Sequence, residues 1–230
     1  MRILALDTAL PAVSLCVLDS EAKEPLVVES VAMERGHAEA LMPLIERVMA
    51  QVDGGFTSLD RIAVTVGPGS FTGIRIGVAA ARGIALARGI TAVGVSTLAA
   101  FAAPLLSDEK GSGLVVAAID ARHDNVFFTA YGPGGHVLIS PALVSVSAAC
   151  RLLGVGRVRV SGSGAPLLLK EAIAAGIDIT LINVASAPDI VDVARLGLVA
   201  DPPGAPARPI YLKAPDVKPA LNQALPHTLA

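Results

Sequence analysis

The chain contains no tryptophan, only two cysteines and 3% aromatic residues in 230. The cysteines, Cys16 and Cys150, both lie in apolar stretches, which excludes a disulfide framework and a cysteine-based zinc site and fits a reducing, cytoplasmic setting. Basic residues are not in excess: 18 Lys and Arg stand against 20 Asp and Glu, for a formal net charge of −2. Affinity for a nucleic-acid backbone comes from neutralising phosphates, so direct binding of RNA or DNA by this chain alone is not expected. Long apolar runs are also scarce. The run Ile3–Leu6 meets Asp7 after four residues, whereas the apolar region of a secretory signal needs about 7 to 15, so a strand is expected there. The uncharged stretch between Arg88 and Asp108 is interrupted by Gly89, Gly94, Ser96, Thr97 and Pro104. It reads as a strand Thr91–Val95, a cap at Ser96 or Thr97 and a short helix, not as a membrane span.

What the chain has in abundance is small residues, with 40 alanines and 22 glycines. An interior of small side chains and closely spaced backbones follows. The opening reads as a hairpin, Ile3–Leu6 then Ala12–Leu18 around the turn Asp7–Pro11. About 113 positions later the pattern returns as Val115–Ile119, Asp120 and Val126–Ala130. Leu41, Leu44, Ile45 and Val48 form one apolar helical face in His37–Gln51. Ile62–Val66 reads as a strand, and Thr72–Arg88 as a helix with Gly73, Gly77 and Ala81 four apart. Pro166–Ala175 is a further predicted helix, stopped by Gly176, and Ser186–Asp189 resembles a capping box before a helix ending near Val199. Alternating strands and helices with an internal duplication predict an α/β protein of two similar subdomains, residues 1–106 and 107–200. Residues 201–230 hold 7 of the 16 prolines and are expected to be extended, with Ile210-Tyr211-Leu212 as an apolar anchor and a loose end from about Pro219.

The segment Val64–Gly77 reads as strand, glycine-rich loop and helix start. Such a loop can turn backbone N–H groups toward an anion. A P-loop would need glycine followed by lysine where Thr72 and Gly73 stand, and the dinucleotide fingerprint also fails at Thr72. The competing reading is a tight turn shaped by Gly67, Gly69 and Gly73, with Ser70 or Thr72 capping the helix.

The eleven residues Gly67-Pro-Gly-Ser-Phe-Thr-Gly-Ile-Arg-Ile-Gly77 resemble the signature of the bacterial TsaB (YeaZ) family. So do Ile3-Leu-Ala-Leu-Asp7-Thr8, Arg35-Gly-His37-Ala-Glu-Ala-Leu41, Asp120-Ala-Arg122 and Pro209-Ile-Tyr211-Leu-Lys213. The resemblance implies an actin/Hsp70/sugar-kinase-like (ASKHA) fold with a mixed sheet flanked by helices in each subdomain. It also implies a non-catalytic scaffold subunit of the complex that threonylcarbamoylates the adenosine beside the anticodon of tRNA. Its implied partners are the catalytic paralogue TsaD and the ATPase TsaE, with a homodimer when the partner is absent. ATP would be used by the complex, no cofactor is assigned to this chain, and tRNA would be met only through the complex.

Enzymatic readings find few residues to carry them. TsaD-like proteins hold a metal through two histidines four apart on the first helix, and here His37 is followed by Leu41. One histidine falls short of the roughly three protein ligands of a catalytic metal. The old glycoprotease label lacks both a Gly-x-Ser-x-Gly elbow and a His-Glu-x-x-His helix. The alternative is an ATP-dependent phospho- or acyltransferase using a phosphate cleft at Asp7, Thr8, Asp120, Arg122, Gly162 and Gly164. Against it, Ala9-Leu10-Pro11 replaces the glycine usual in the first hairpin, and Ser161–Gly164 also reads as a plain turn. The expected partner interface comprises His37, Leu41 and Ile45 on the first helix and Gly73, Gly77, Ala80, Ala81 and Ile84 on the second.

Overall fold

The structure, a computed structural model, describes residues 1–108, 112–154, 156–201 and 206–213. Its first half runs β1 (Arg2–Asp7), β2 (Ala12–Asp19), β3 (Val27–Ala32), α1 (His37–Met49), β4 (Arg61–Gly67), α2 (Phe71–Arg88), β5 (Thr91–Ser96) and α3 (Thr97–Leu106). The second half repeats that order: β6 (Leu114–Asp120), β7 (Asn125–Tyr131), β8 (Val137–Ser145), α4 (Val146–Leu153), β9 (Arg157–Ser161), α5 (Ala165–Ala175), β10 (Asp178–Asn183) and α6 (Ile190–Val199).

The two five-stranded sheets have the same topology, β3-β2-β1-β4-β5 and β8-β7-β6-β9-β10. In each, the first three strands are antiparallel, and the fourth and fifth add in parallel beside the first. This duplicated mixed sheet is the actin/Hsp70/sugar-kinase-like architecture. The first strand of each sheet is apolar at every interior position because both faces are covered. Leu4 and Leu6 of β1 join the core beneath α1 and α2, whereas the alternate residues Ile3 and Ala5 pack with Ile190, Val193 and Ala194 of α6. In β6, Val116 and Ala118 meet α4 and α5, and Val115, Ala117 and Ile119 meet Leu98, Phe101 and Leu105 of α3.

The last helix of each half therefore packs on the sheet of the other half. Each exchanged helix is held at its C-terminus by an arginine from the sheet it covers. Arg61 of β4 donates to the carbonyls of Gly197 (2.9 Å), Leu198 (3.2 Å) and Ala200 (2.9 Å) at the end of α6. Arg159 of β9 donates to Leu105 O at 3.1 Å and to the Asp108 carboxylate at 3.1 Å at the end of α3. Cations there satisfy carbonyls that have no partner within the helix and oppose the negative end of its dipole.

Some expectations are corrected in detail. Asp189 alone caps α6, accepting from Val191 N at 2.9 Å, and Pro188 lies before the cap, outside the first turn. The short carboxylate side chain at 189 reaches its own second amide, so the helix starts later than a cap at Ser186 would set. The strands β3, β8, β9 and β10 and the helix α4 add to the elements read from sequence. Pro104 lies inside α3, which Ser96 caps by accepting from Ala99 N. No helix among the described residues is long and apolar enough to cross a membrane. The tail from Pro219, and Glu109-Lys110-Gly111 just after the predicted boundary between the subdomains, lie outside the described residues.

Candidate functional site

The glycine loop folds directly onto the β1–β2 turn. Ser70 N donates to Ala9 O at 2.7 Å, and Thr8 Oγ1 donates to Gly73 O at 2.7 Å. Ser70 caps α2, its hydroxyl accepting from Gly73 N at 3.3 Å, while Thr72 faces solvent. A Cβ at Gly73 would stand 2.1 Å from Thr8 O, and one at Gly69 would stand 2.3 Å from Ala9 O. The glycines of this motif thus serve the approach of two backbones.

Asp7 and Thr8 are buried under this loop and do not line the cleft between the lobes. Asp7 Oδ1 accepts from Ala9 N at 3.0 Å and from the Thr65 hydroxyl at 2.5 Å, but Oδ2 is buried and finds no partner among the described residues. Burial pushes the Asp7 carboxyl above its ordinary value of 3.8, while the bonds from Thr65 and Ala9 and the charge of His37 pull the other way. An acid raised in the fold stabilises it most below its unfolded value, and that contribution is lost as pH rises through the folded one. Asp7→Asn is expected to keep the bonds at Oδ1 and remove this dependence. The melting temperature of the variant, relative to the unmodified chain, should climb from about pH 4 toward neutrality. A constant offset across that range would contradict the assignment.

The second half of the expected cleft stays open. A cavity of about 880 Å³ between the lobes is lined by Arg35, His37 and the Ser70–Gly73 turn on one side and by Asp120, Arg122 and Ser163 on the other. Asp120 Oδ1 accepts from Arg122 N at 2.7 Å, and Asp120 N donates to Ser163 Oγ at 3.2 Å. Arg122, His123 and Asp124 all hold left-handed backbone, with φ of 65°, 52° and 55°. Gly162 and Gly164 are beneath this surface, seated on the end of β6 at Ala118 and Ile119. Of the six residues expected to form the cleft, Asp120 and Arg122 face it and the other four do not. Among the described residues, no three His, Cys, Asp or Glu side chains gather where they could hold a metal ion.

The expected interface residues divide in the same way. Leu41, Ile45, Gly73, Gly77 and Ala81 are taken up inside their own lobe, with Gly77 against the Thr8 hydroxyl, so their side chains are not on offer to a partner. His37, Ala80 and Ile84 are half-buried, and His37 Nε2 donates to Leu10 O at 3.0 Å. Exposed instead are Met42 on α1 and Ala79, Gly83 and Leu86 on α2, the last 85% exposed. Helical phase could have found them: once Gly73, Gly77 and Ala81 are the stripe against the hairpin, the stripe at 79, 83 and 86 must face away.

A family model for TsaD, tRNA N6-adenosine threonylcarbamoyltransferase, matches residues 28–195. TsaB of Escherichia coli (strain K12), a tRNA threonylcarbamoyladenosine biosynthesis protein, is 34% identical over 131 residues, 57% of this chain. That match spans 55% of the Escherichia coli protein, about half its length. An uncharacterized protein of Mycobacterium tuberculosis is 33% identical over 220 residues, 94% of each chain. The solved structure of YeaZ from Pseudomonas aeruginosa superposes with a TM-score of 0.72 at 26% identity, covering 92% of this chain and 99% of that one. The chain belongs to the TsaB/YeaZ family. In this TsaB/YeaZ chain the signature loop closes the first hairpin, and its glycines are used for backbone contact.

Proposed function

We propose that the chain is a non-catalytic, cytoplasmic scaffold subunit in the synthesis of threonylcarbamoyladenosine beside the tRNA anticodon, and that it binds and activates the catalytic paralogue TsaD through α1 and α2. The observation that carries this reading is the exposure of large apolar side chains on those helices, Leu86 at 85% and Met42 at 49%. Large apolar side chains left in water beside small residues mark a surface that another helix pair can cover. In the absence of TsaD the same face pairs with a second copy of the chain. TsaE supplies the ATPase of the complex, and tRNA is contacted by the partners, in keeping with the net charge of −2.

The closed hairpin supports a non-catalytic role, since Asp7 has no path to a substrate. Reconstituting the tRNA modification with and without this chain tests the reading, together with ATP turnover by the chain alone. Modified nucleoside should form only when TsaD and this chain are both present. Rapid ATP consumption by the isolated chain would favour an independent transferase working from Asp120 and Arg122.

A further inference from the structure

The strand end at Gly67, the first turn of α2 and the floor of the interlobe cleft are joined by a segment with no part in the docking face. Residues 206–213 return to the first lobe after α6, with Ala207 buried in its core. Ile210 N donates to Val66 O at 2.7 Å. Gly67, at φ 109°, leaves room for this crossing, because a Cβ there would lie 2.7 Å from Ile210 O.

Tyr211 then rests on α2. Its ring centroid is 5.0 Å from that of Phe71, Arg75 Nε donates to its hydroxyl at 2.8 Å, and the Arg75 guanidinium lies 3.7 Å over the Phe71 ring. One residue on, Leu212 packs on the apolar cluster that α3 forms with the second sheet, which contains Leu98, Phe101, Ile119 and Phe127. In a chain with two tyrosines and five phenylalanines, placing one of each about 40% exposed around a single arginine is a concentrated use of scarce side chains. Such stacked and charge-assisted contacts hold a segment in one position with little rotamer freedom.

We propose that residues Ala207–Leu212 are an interlobe latch, seated on the first lobe by Ile210 and Tyr211 and on the second by Leu212, which fixes the width of the cleft. The latch is independent of which partner covers α1 and α2. Its ends do different things. The Tyr211 end ties the segment to α2, and the Leu212 end ties it to the cluster where α3 meets β6 and β7.

The test uses the full chain with spin labels on Glu46→Cys of α1 and Glu171→Cys of α5, both exposed sites, since Cys16 and Cys150 are buried. Pulsed dipolar spectroscopy should give one narrow interlobe distance. Leu212→Ala should broaden it while leaving the Ile210 amide protected from hydrogen exchange. Tyr211→Ala should broaden it and also speed exchange at Ile210 by roughly tenfold, the scale of one lost charge-assisted hydrogen bond. A lower melting temperature with an unchanged distance distribution in both variants would assign the segment to stability alone and overturn the latch. So would an Ile210 amide that exchanges like a free peptide in the unmodified chain.

Discussion

Replacing Gly73 with alanine is expected to lower the melting temperature by about 6 to 12 °C, while the same replacement at Gly83 in the same helix raises it. Helix propensity favours alanine over glycine by roughly 1 kcal/mol at either position. At Gly83 nothing among the described residues lies within 4 Å of the new Cβ, so that gain stands alone. At Gly73 the methyl would sit 2.1 Å from Thr8 O and 3.2 Å from Thr8 C, atoms of a buried turn that has no room to retreat. Overpacking of this kind costs about 3 kcal/mol or more, and moving the helix away also breaks the buried bond from Thr8 Oγ1 to Gly73 O. Overpacking outweighs propensity, and in a chain of this size each kcal/mol moves the midpoint by roughly 2 to 4 °C. Calorimetry on the two variants checks the opposite signs. If Gly73→Ala melted at or above the unmodified chain, the glycine loop would not be pressed on the hairpin as described.

This contrast explains which parts of the molecule can be read from its residues. The hairpins β1–β2 and β6–β7 are legible because both faces are buried and their apolar runs are continuous. Their repeat at a spacing of about 113 positions suffices to predict the duplicated architecture. The edge strands β3, β8 and β10 are half solvated, and Glu29, Pro141 and Asp178 break their apolar pattern, so only the pairing partner reveals them. Glycines four apart on α2 announce a close approach but do not name its target. The stripe meets the chain's own Thr8, which moves the free face round to Leu86. Asp7 and Asp120 look equivalent as strand-closing acids, yet one is sealed and the other faces the cleft. The difference lies in the following glycine loop: Gly69–Gly73 covers the turn of its lobe, whereas Gly162–Gly164 stops short on the strand end. Which residues of the strand end a loop meets, Thr8 and Ala9 in one lobe and Ala118 and Ile119 in the other, is set by tertiary packing and leaves no mark in residue type. Tyr211 is legible as an anchor, but its seat between Phe71 and Arg75 joins positions 136 or more residues apart.

Leu86→Arg is expected to leave the isolated chain as stable as before and to weaken its binding to TsaD by roughly thirty-fold to several-thousand-fold. In the monomer the side chain is 85% exposed and takes no part in the core, and surface substitutions of that kind change stability by only about 0.5 kcal/mol. In a complex that covers the α1–α2 face, the guanidinium would be buried without a partner, at a cost of about 2 to 5 kcal/mol, which sets the expected range of affinities. The same change should shift any homodimer toward monomer in sedimentation, because the face is shared. Arginine at the buried Gly77 or Ala81 would disrupt the lobe itself and so could not separate docking from folding. The informative control is Ile173→Arg on α5, where an isoleucine 71% exposed on the other lobe supplies equal surface chemistry outside the proposed face. Titration calorimetry with TsaD should show that Ile173→Arg binds as the unmodified chain does. Unchanged binding by Leu86→Arg alongside lost binding by Ile173→Arg would move the interface to the second lobe and sink the docking role of α2.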